Sequence, residues 1–269
     1  MNRKFALAYF TTAPMGPPEA LLLAQRLGYH AIGIRVAPLS PGGDFSPLGE
    51  NARLLRQTIA RIKGTAVTIF DVEGVQLDEK FRPGSFDRLV ELAGELGAKV
   101  VTVVGNDPDE SRLVDSFASL CDSAAAHQFT LALEFMPYSR VPNFGAALRI
   151  LHRLDSACVR MALDFLHATR SGMTCGDLAT LPLKWLSHAQ LCDAPSEAPN
   201  TREGLIHEAR RGRLLPGDGG INLCGMLQEL PDSLPLSIEI PNAEQVALLG
   251  PEEWARRALY ATEQAILKT

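Results

Sequence analysis

Short apolar runs alternate along the chain with stretches of helical period. FALAYFTT precedes a helical stretch over PPEALLLAQRLG that stops at Gly28, and AIGIRVAP precedes, after a Gly/Pro-rich loop, GENARLLRQTIARIKG. TAVTIFDVEG is followed by PGSFDRLVELAGELG, KVVTVVGND by DESRLVDSFASLCDSAAAHQ, and TLALEFMP by NFGAALRILHRLD. VRMALDFLHA leads into a weaker helix near GDLATLP. LSHAQLCDA opens a polar stretch, predicted irregular from Ala194 to Pro216, that ends in GGINLCGMLQELP; LPLSIEIP leads into PEEWARRALYATEQAILK. The helical stretches begin on acidic residues or Ser and stop at Gly, where capping chemistry wants them. Runs such as KVVTVVG are apolar on both faces, which suits strands of a parallel sheet covered by helices.

Eight strand–helix units in about 250 residues is the arithmetic of a (β/α)8 barrel. A doubly wound sheet would usually carry a glycine-rich phosphate turn after its first strand, and the turn here is TTAPMGPP. No Ser, Pro or charge-repeat linker marks a second domain, so the expectation is a single α/β TIM barrel over residues 1–269.

Four polar residues stand at the ends of apolar runs: Glu134 in TLALEFMP, Asp164 in VRMALDFLHATRSG, Gln190 in LSHAQLCDA and Glu239 in LPLSIEIP. Asp164 follows Glu134 by 30 positions and Gln190 follows Asp164 by 26, one unit each; Glu239 comes 49 later, one unit enlarged by the polar stretch. Neighbouring strands lie ~4.8 Å apart, so side chains from strands five to eight can meet around one ion. A lone Glu at a strand end is often merely solvated. Four ligand-type side chains in consecutive units are costly in a barrel mouth unless they are paired or metal-bound. Their oxygens favour Mn2+, Mg2+ or Co2+, with Zn2+ also accommodated.

His167, three residues after Asp164, is placed to bond a substrate carbonyl or hydroxyl. His188 shares the side of its strand with Gln190, and Arg170, Arg210, Arg211 and Arg213 are candidate fixed cations for a carboxylate or phosphate.

The segments LALEFMP, ALDFLHATRSG, AQLCDAP, RLLPGDGGIN and LSIEIPN resemble the xylose-isomerase-like TIM-barrel superfamily, specifically its sugar phosphate isomerase/epimerase group. That group includes ketose 3-epimerases, inosose dehydratases and 3-dehydroshikimate dehydratases. The resemblance implies that Glu134, Asp164, Gln190 and Glu239 are metal ligands and that His167 contacts substrate. It departs at Gln190, where many members place a His. A neutral amide oxygen shifts preference away from Zn2+, and Gln at this position also occurs in dehydratase branches.

The implied activity is first a sugar or sugar-phosphate isomerase or epimerase, with Glu134 and Glu239 moving protons and a metal-stabilised enediolate between the transfers. The alternative is dehydration of a cyclic polyhydroxy ketone or acid such as inosose or 3-dehydroshikimate, with His167 as an acid that helps hydroxyl leave. A non-catalytic metabolite-binding barrel comes third. Each reading makes the partner a small sugar, polyol or cyclic hydroxy acid.

Net charge of -5 with no basic stripe argues against a nucleic-acid partner. The related DNA-repair endonucleases are disfavoured as well, because the additional His and Asp ligands of their multi-metal site are missing. Five scattered cysteines without a CxxC pair read as reduced packing thiols, Cys192 among them despite its place beside Gln190. The start, MNRKFALAYFTTAP, has two basic residues before an apolar run, but the run is short and broken by Tyr9 and two Thr, so it reads as a first strand. No run approaches the ~20 apolar residues a membrane span needs. The expectation is a soluble, cytoplasmic protein, with a homodimer allowed but no interface marked.

Overall fold

A computed structural model describes residues 3–39 and 42–269. The eight apolar runs form eight parallel strands in sequential order: β1 (Phe5–Leu7), β2 (Ala31–Arg35), β3 (Thr68–Leu77), β4 (Val100–Gly105), β5 (Thr130–Glu134), β6 (Val159–Asp164), β7 (Leu186–Leu191) and β8 (Leu236–Ile238). β1 pairs with β8 through Ala6↔Ser237 and Leu7↔Ile238, which closes a (β/α)8 barrel.

Alternation along the strands sorts side chains into two layers. Ala6, Ala31, Phe70, Val100, Ala132 and Ala162 form a small apolar cluster inside the barrel. Leu7, Ile32, Val101, Leu133, Leu163 and Ile238 belong to the main core with helical residues such as Leu21, Phe117 and Ile150. Two residues beyond Ala132 and Ala162, the same inward side carries Glu134 and Asp164.

β3 is irregular in a way that matters for the site. Its register against β2 slips between Ile32 and Gly33, and against β4 between Val72 and Val75. The first slip pairs Gly33 with Asp71 and Arg35 with Glu73, so two acidic residues join the inward face. Gly33 makes room for this: a Cβ there would lie 2.5 Å from Asp71 Oδ1.

The structure departs from the sequence pattern in three places. The first apolar run ends as a strand at Leu7, and Tyr9–Thr12 forms a helical turn. Thr11 Oγ1 donates to Ile238 O (2.8 Å) and accepts Ile240 N–H (2.9 Å), pinning that turn across the end of β8. The stretch 194–216 is not irregular throughout. It holds the helix Arg202–Arg211, whose first turn is capped by Thr201 Oγ1 accepting Gly204 N–H at 3.0 Å. That helix is polar on most sides, so it leaves no apolar stripe in the sequence. A further helix, Ala243–Leu249, follows β8 before the final helix, Pro251–Ile266. No described helix is long and apolar enough to cross a membrane.

Candidate active site

The ends of β5 to β8 bring Glu134, Asp164, Gln190 and Glu239 to one end of the barrel. Asp164 pairs in register with Gln190, Glu134 with Ala162, and Glu239 N–H bonds Leu191 O at 3.1 Å. All four are nearly removed from solvent. Asp164 doubles as the cap of the helix Phe165–Arg170, accepting His167 N–H through Oδ1 at 2.9 Å. That cap swings the His167 ring towards β5, where Nε2 lies 3.8 Å from Glu134 Oε1 and Tyr138 meets the ring edge-on at 5.5 Å.

Arg213 enters this group from the loop before β8. Its Nη1 lies 2.6 Å from Asp164 Oδ2, 3.3 Å from Glu239 Oε2 and 3.3 Å from Glu239 O. The loop is folded around Asp193, which ends the AQLCD run. Its carboxylate accepts N–H from Ala194 (2.8 Å) and Ile221 (3.0 Å) on Oδ1, and from Gly217 (2.9 Å) and Gly219 (3.0 Å) on Oδ2. Gly219 is needed for this wrap, since a Cβ there would sit 2.2 Å from Ala194 O. Asn242 Nδ2 bonds Arg213 O (3.0 Å) and Arg213 Nε bonds Ala209 O (2.9 Å), fixing the guanidinium.

One guanidinium among three buried carboxyls leaves the charge unbalanced. Burial pushes Asp164 up, yet the Arg213 charge and its hydrogen bonds, with the His167 N–H bond, bring it down to about 2. Glu239 is pushed up to about 8 by burial and the neighbouring acids despite Arg213. Glu134 is raised well above the carboxylate range by burial and by the negative charges of Glu239 and Asp164. Burial lowers the His167 imidazole to about 4, so it is neutral near pH 7.

Gln190 Oε1 is buried and makes no hydrogen bond among the described residues. Such an orphan is costly unless something accepts its lone pairs. An amide oxygen without a partner, beside carboxyls short of positive charge, has the donor chemistry of a divalent-cation site. Ligand atoms of Glu134, Asp164 and His167 already lie within 4.8 Å of one another.

The adjoining cavity has a volume near 270 Å³ and is bordered by Glu134, Tyr138, His167, Arg210, Arg213 and Glu239 on one side. Across from them stand Phe10, Arg35 and Glu73, contributed by the chain after β1 and by β2 and β3; Arg202 closes the rim. The remaining candidates lie elsewhere. Arg170 is buried in a two-pronged bond to Glu208 (2.8 and 2.7 Å) and to Pro195 O (2.7 Å), away from the cavity. Arg211 borders a neighbouring hollow with Pro241 and Asn242. His188 sits wholly inside the barrel, two residues before Gln190, its ring edge-on to Phe70 at 5.1 Å. Cys192 is buried 3.5 Å from Arg213 Nη1, and burial pushes its thiol up to about 12.

Sequence reasoning passed over Arg35, Glu73, Tyr138 and Arg202. Arg35 carried the same signal as the ligands, a charged residue closing an otherwise apolar strand.

The model of the xylose isomerase-like TIM barrel family matches residues 21–265. The chain belongs to this family. Among curated relatives, this family member is 28% identical over 165 residues to a 3-dehydroshikimate dehydratase of Pseudomonas aeruginosa; the match covers 58% of the chain and 25% of that much longer protein. Among solved structures it is similar to the zinc-bound IOLI protein (22% identity, TM-score 0.80, 98% of each chain). It is also similar to the probable 3-DHS dehydratase AsbF of Bacillus anthracis (16%, TM-score 0.74, 97% of this chain and 98% of that one). A third is the 3-keto-D-glucoside 4-epimerase YcjR of E. coli (17%, TM-score 0.70, 96% of this chain and 100% of that one). At these identities the structural likeness speaks to the fold. Proteins that share this fold include a named epimerase and a probable dehydratase.

Proposed function

We propose that this family member is a divalent-metal-dependent lyase that removes water from a small polyhydroxylated carbonyl compound bearing a carboxylate. The observation that carries this reading is the unequal surroundings of the two glutamates. Glu239 is held with Asp164 on the Arg213 guanidinium, whereas Glu134 faces the neutral imidazole of His167 at 3.8 Å. The proton-moving groups therefore cluster on one side of the site, as a syn elimination needs.

Glu134, Asp164, Gln190 and Glu239 would hold the ion, which when bound supplies Lewis-acid polarisation of the substrate carbonyl and favours the ionised glutamates. Glu134 takes the proton from the carbon next to the carbonyl. His167 relays a proton to the departing hydroxyl; the C–O bond breaks, its electron pair leaves with water, and a carbon–carbon double bond forms. Each positioned proton-transfer group typically contributes ~10²–10⁴-fold. Arg202 and Arg210, which line the cavity with no carboxylate partner among the described residues, supply the charge for a substrate carboxylate. The 3-dehydroshikimate dehydratase relative acts on a substrate of this kind.

Incubation of Mn2+-loaded protein with 3-dehydroshikimate tests the assignment: growth of the ultraviolet absorbance of an aromatic product supports it. Inactivity there, with solvent exchange of a ketose carbon-3 proton, would replace it with epimerisation. That second reading draws on Glu239, the other acid of raised pKa beside Glu134.

A further inference from the structure

Arg35, at the end of β2, and Glu73, midway along β3, face each other on the wall of the cavity contributed by the early strands. Both are buried. Arg35 Nε donates to Glu73 Oε2 at 2.9 Å, and Nη2 donates to the same oxygen. Two donors thus share one carboxylate oxygen, and Glu73 Oε1 is buried with no hydrogen bond among the described residues. Phe10 fixes the cation from behind, its ring centroid 3.9 Å from Arg35 Cζ. Arg35 Nη1 makes no hydrogen bond among the described residues.

Arg–carboxylate pairs are frequently bidentate, using both oxygens in a parallel fork. This one is offset, and it leaves one acceptor, Glu73 Oε1, and one donor, Arg35 Nη1, without hydrogen bonds among the described residues. A hydroxyl group is both donor and acceptor and answers such a pair; a carboxylate meets the Glu73 charge with repulsion. We propose that the Arg35–Glu73 pair is the substrate's hydroxyl-recognition element, binding a ring hydroxyl that does not react while the opposite wall holds the reacting carbons. The proposal rests on the reading of the site as one for a polyhydroxylated acid, and it makes the pair the selector of hydroxylated over deoxygenated rings. Sites built to bond a hydroxyl reject analogues lacking it strongly, because the buried polar atoms are left unpaired.

The test is calorimetric binding to Mn2+-loaded protein of two probes, shikimate and cyclohex-1-enecarboxylate, which share ring and carboxylate and differ in hydroxyls. The comparison is wild type against Arg35→Leu/Glu73→Leu. Removing both charges together avoids an unpaired buried ion and keeps the barrel folded, checked by an unchanged melting temperature. Wild type should favour shikimate by about 100-fold, and the double variant should lower that ratio by at least ~10-fold while binding cyclohexenecarboxylate as before. The single variant Glu73→Gln, which keeps the shape, should lower the ratio in the same direction. An unchanged ratio in both variants would overturn the proposal, as would loss of cyclohexenecarboxylate binding in the double variant, which would make the pair a carboxylate anchor. Binding of neither probe to wild type would overturn the polyhydroxylated-acid reading itself.

Discussion

Arg213 Nη1 sits 2.6 Å from Asp164 Oδ2, an ion pair that joins a candidate metal ligand to a buried arginine. The pair decides which acid is ionised before any ion arrives. Asp164 keeps its charge, while Glu134 and Glu239 hold protons that a divalent cation would displace.

Metal binding should therefore release protons. Apparent affinity for Mn2+ should rise as pH increases towards about 8, the value to which Glu239 is pushed. Titration calorimetry in buffers of different ionisation enthalpy at pH 6.5 and 8.5 measures this, with more protons released at the lower pH. An equal, zero release at both would contradict the charge assignment.

The same shift fixes a stability trend for the metal-free protein. Glu239 has a folded pKa above its unfolded value, so its contribution is complete below about pH 4.3 and is lost as pH rises to about 8. His167 and His188, both lowered to about 4 by burial, act in the opposite sense, but their effect is complete above about pH 6.5. Between 6.5 and 8 the glutamate trend stands alone among these groups. Denaturant melts should show the metal-free wild type weakening relative to Glu239→Gln across that window, and saturating Mn2+ should abolish the difference in slope.

Arg213→Met leaves two acids without their cation. Breaking a buried pair by removing one partner costs about 3–5 kcal/mol. The variant's melting temperature should fall in the metal-free state and recover more on adding Mn2+ than the wild type's does. Thermal melts with and without metal check this.

Asp193 is the keystone of the loop that delivers Arg213, accepting four backbone N–H groups. Asp193→Ala should leave those donors unpaired, destabilise by about 2–4 kcal/mol and lower turnover by displacing Arg213. Chemical denaturation and a turnover assay read both effects. Normal turnover with normal stability would remove Asp193 from the account.

The barrel was legible because strand and helix periods alternate eight times, and the four polar strand ends because each closes an apolar run. What the sequence concealed has physical reasons. The helix Arg202–Arg211 is too polar to show a stripe, so its stretch looked like loop. Glu73 turns inward only because β3 slips register, and no two-residue alternation foretells a bulge. Arg170, Arg211 and Arg213 look alike along the chain; only tertiary contacts give Glu208 to the first, a side hollow to the second and the carboxylate cluster to the third. Asp193 was visible beside Gln190, but its four backbone partners come from across a long loop.

The most direct test of the central claim is the stoichiometry and origin of metal binding. Metal analysis and calorimetric titration with Mn2+ should find one tightly held ion per wild-type chain and none in Asp164→Asn/Gln190→Leu, with the fold of the variant verified by its melting curve. A folded double variant that still binds one Mn2+ with wild-type affinity would show that these four strand ends are not the metal centre.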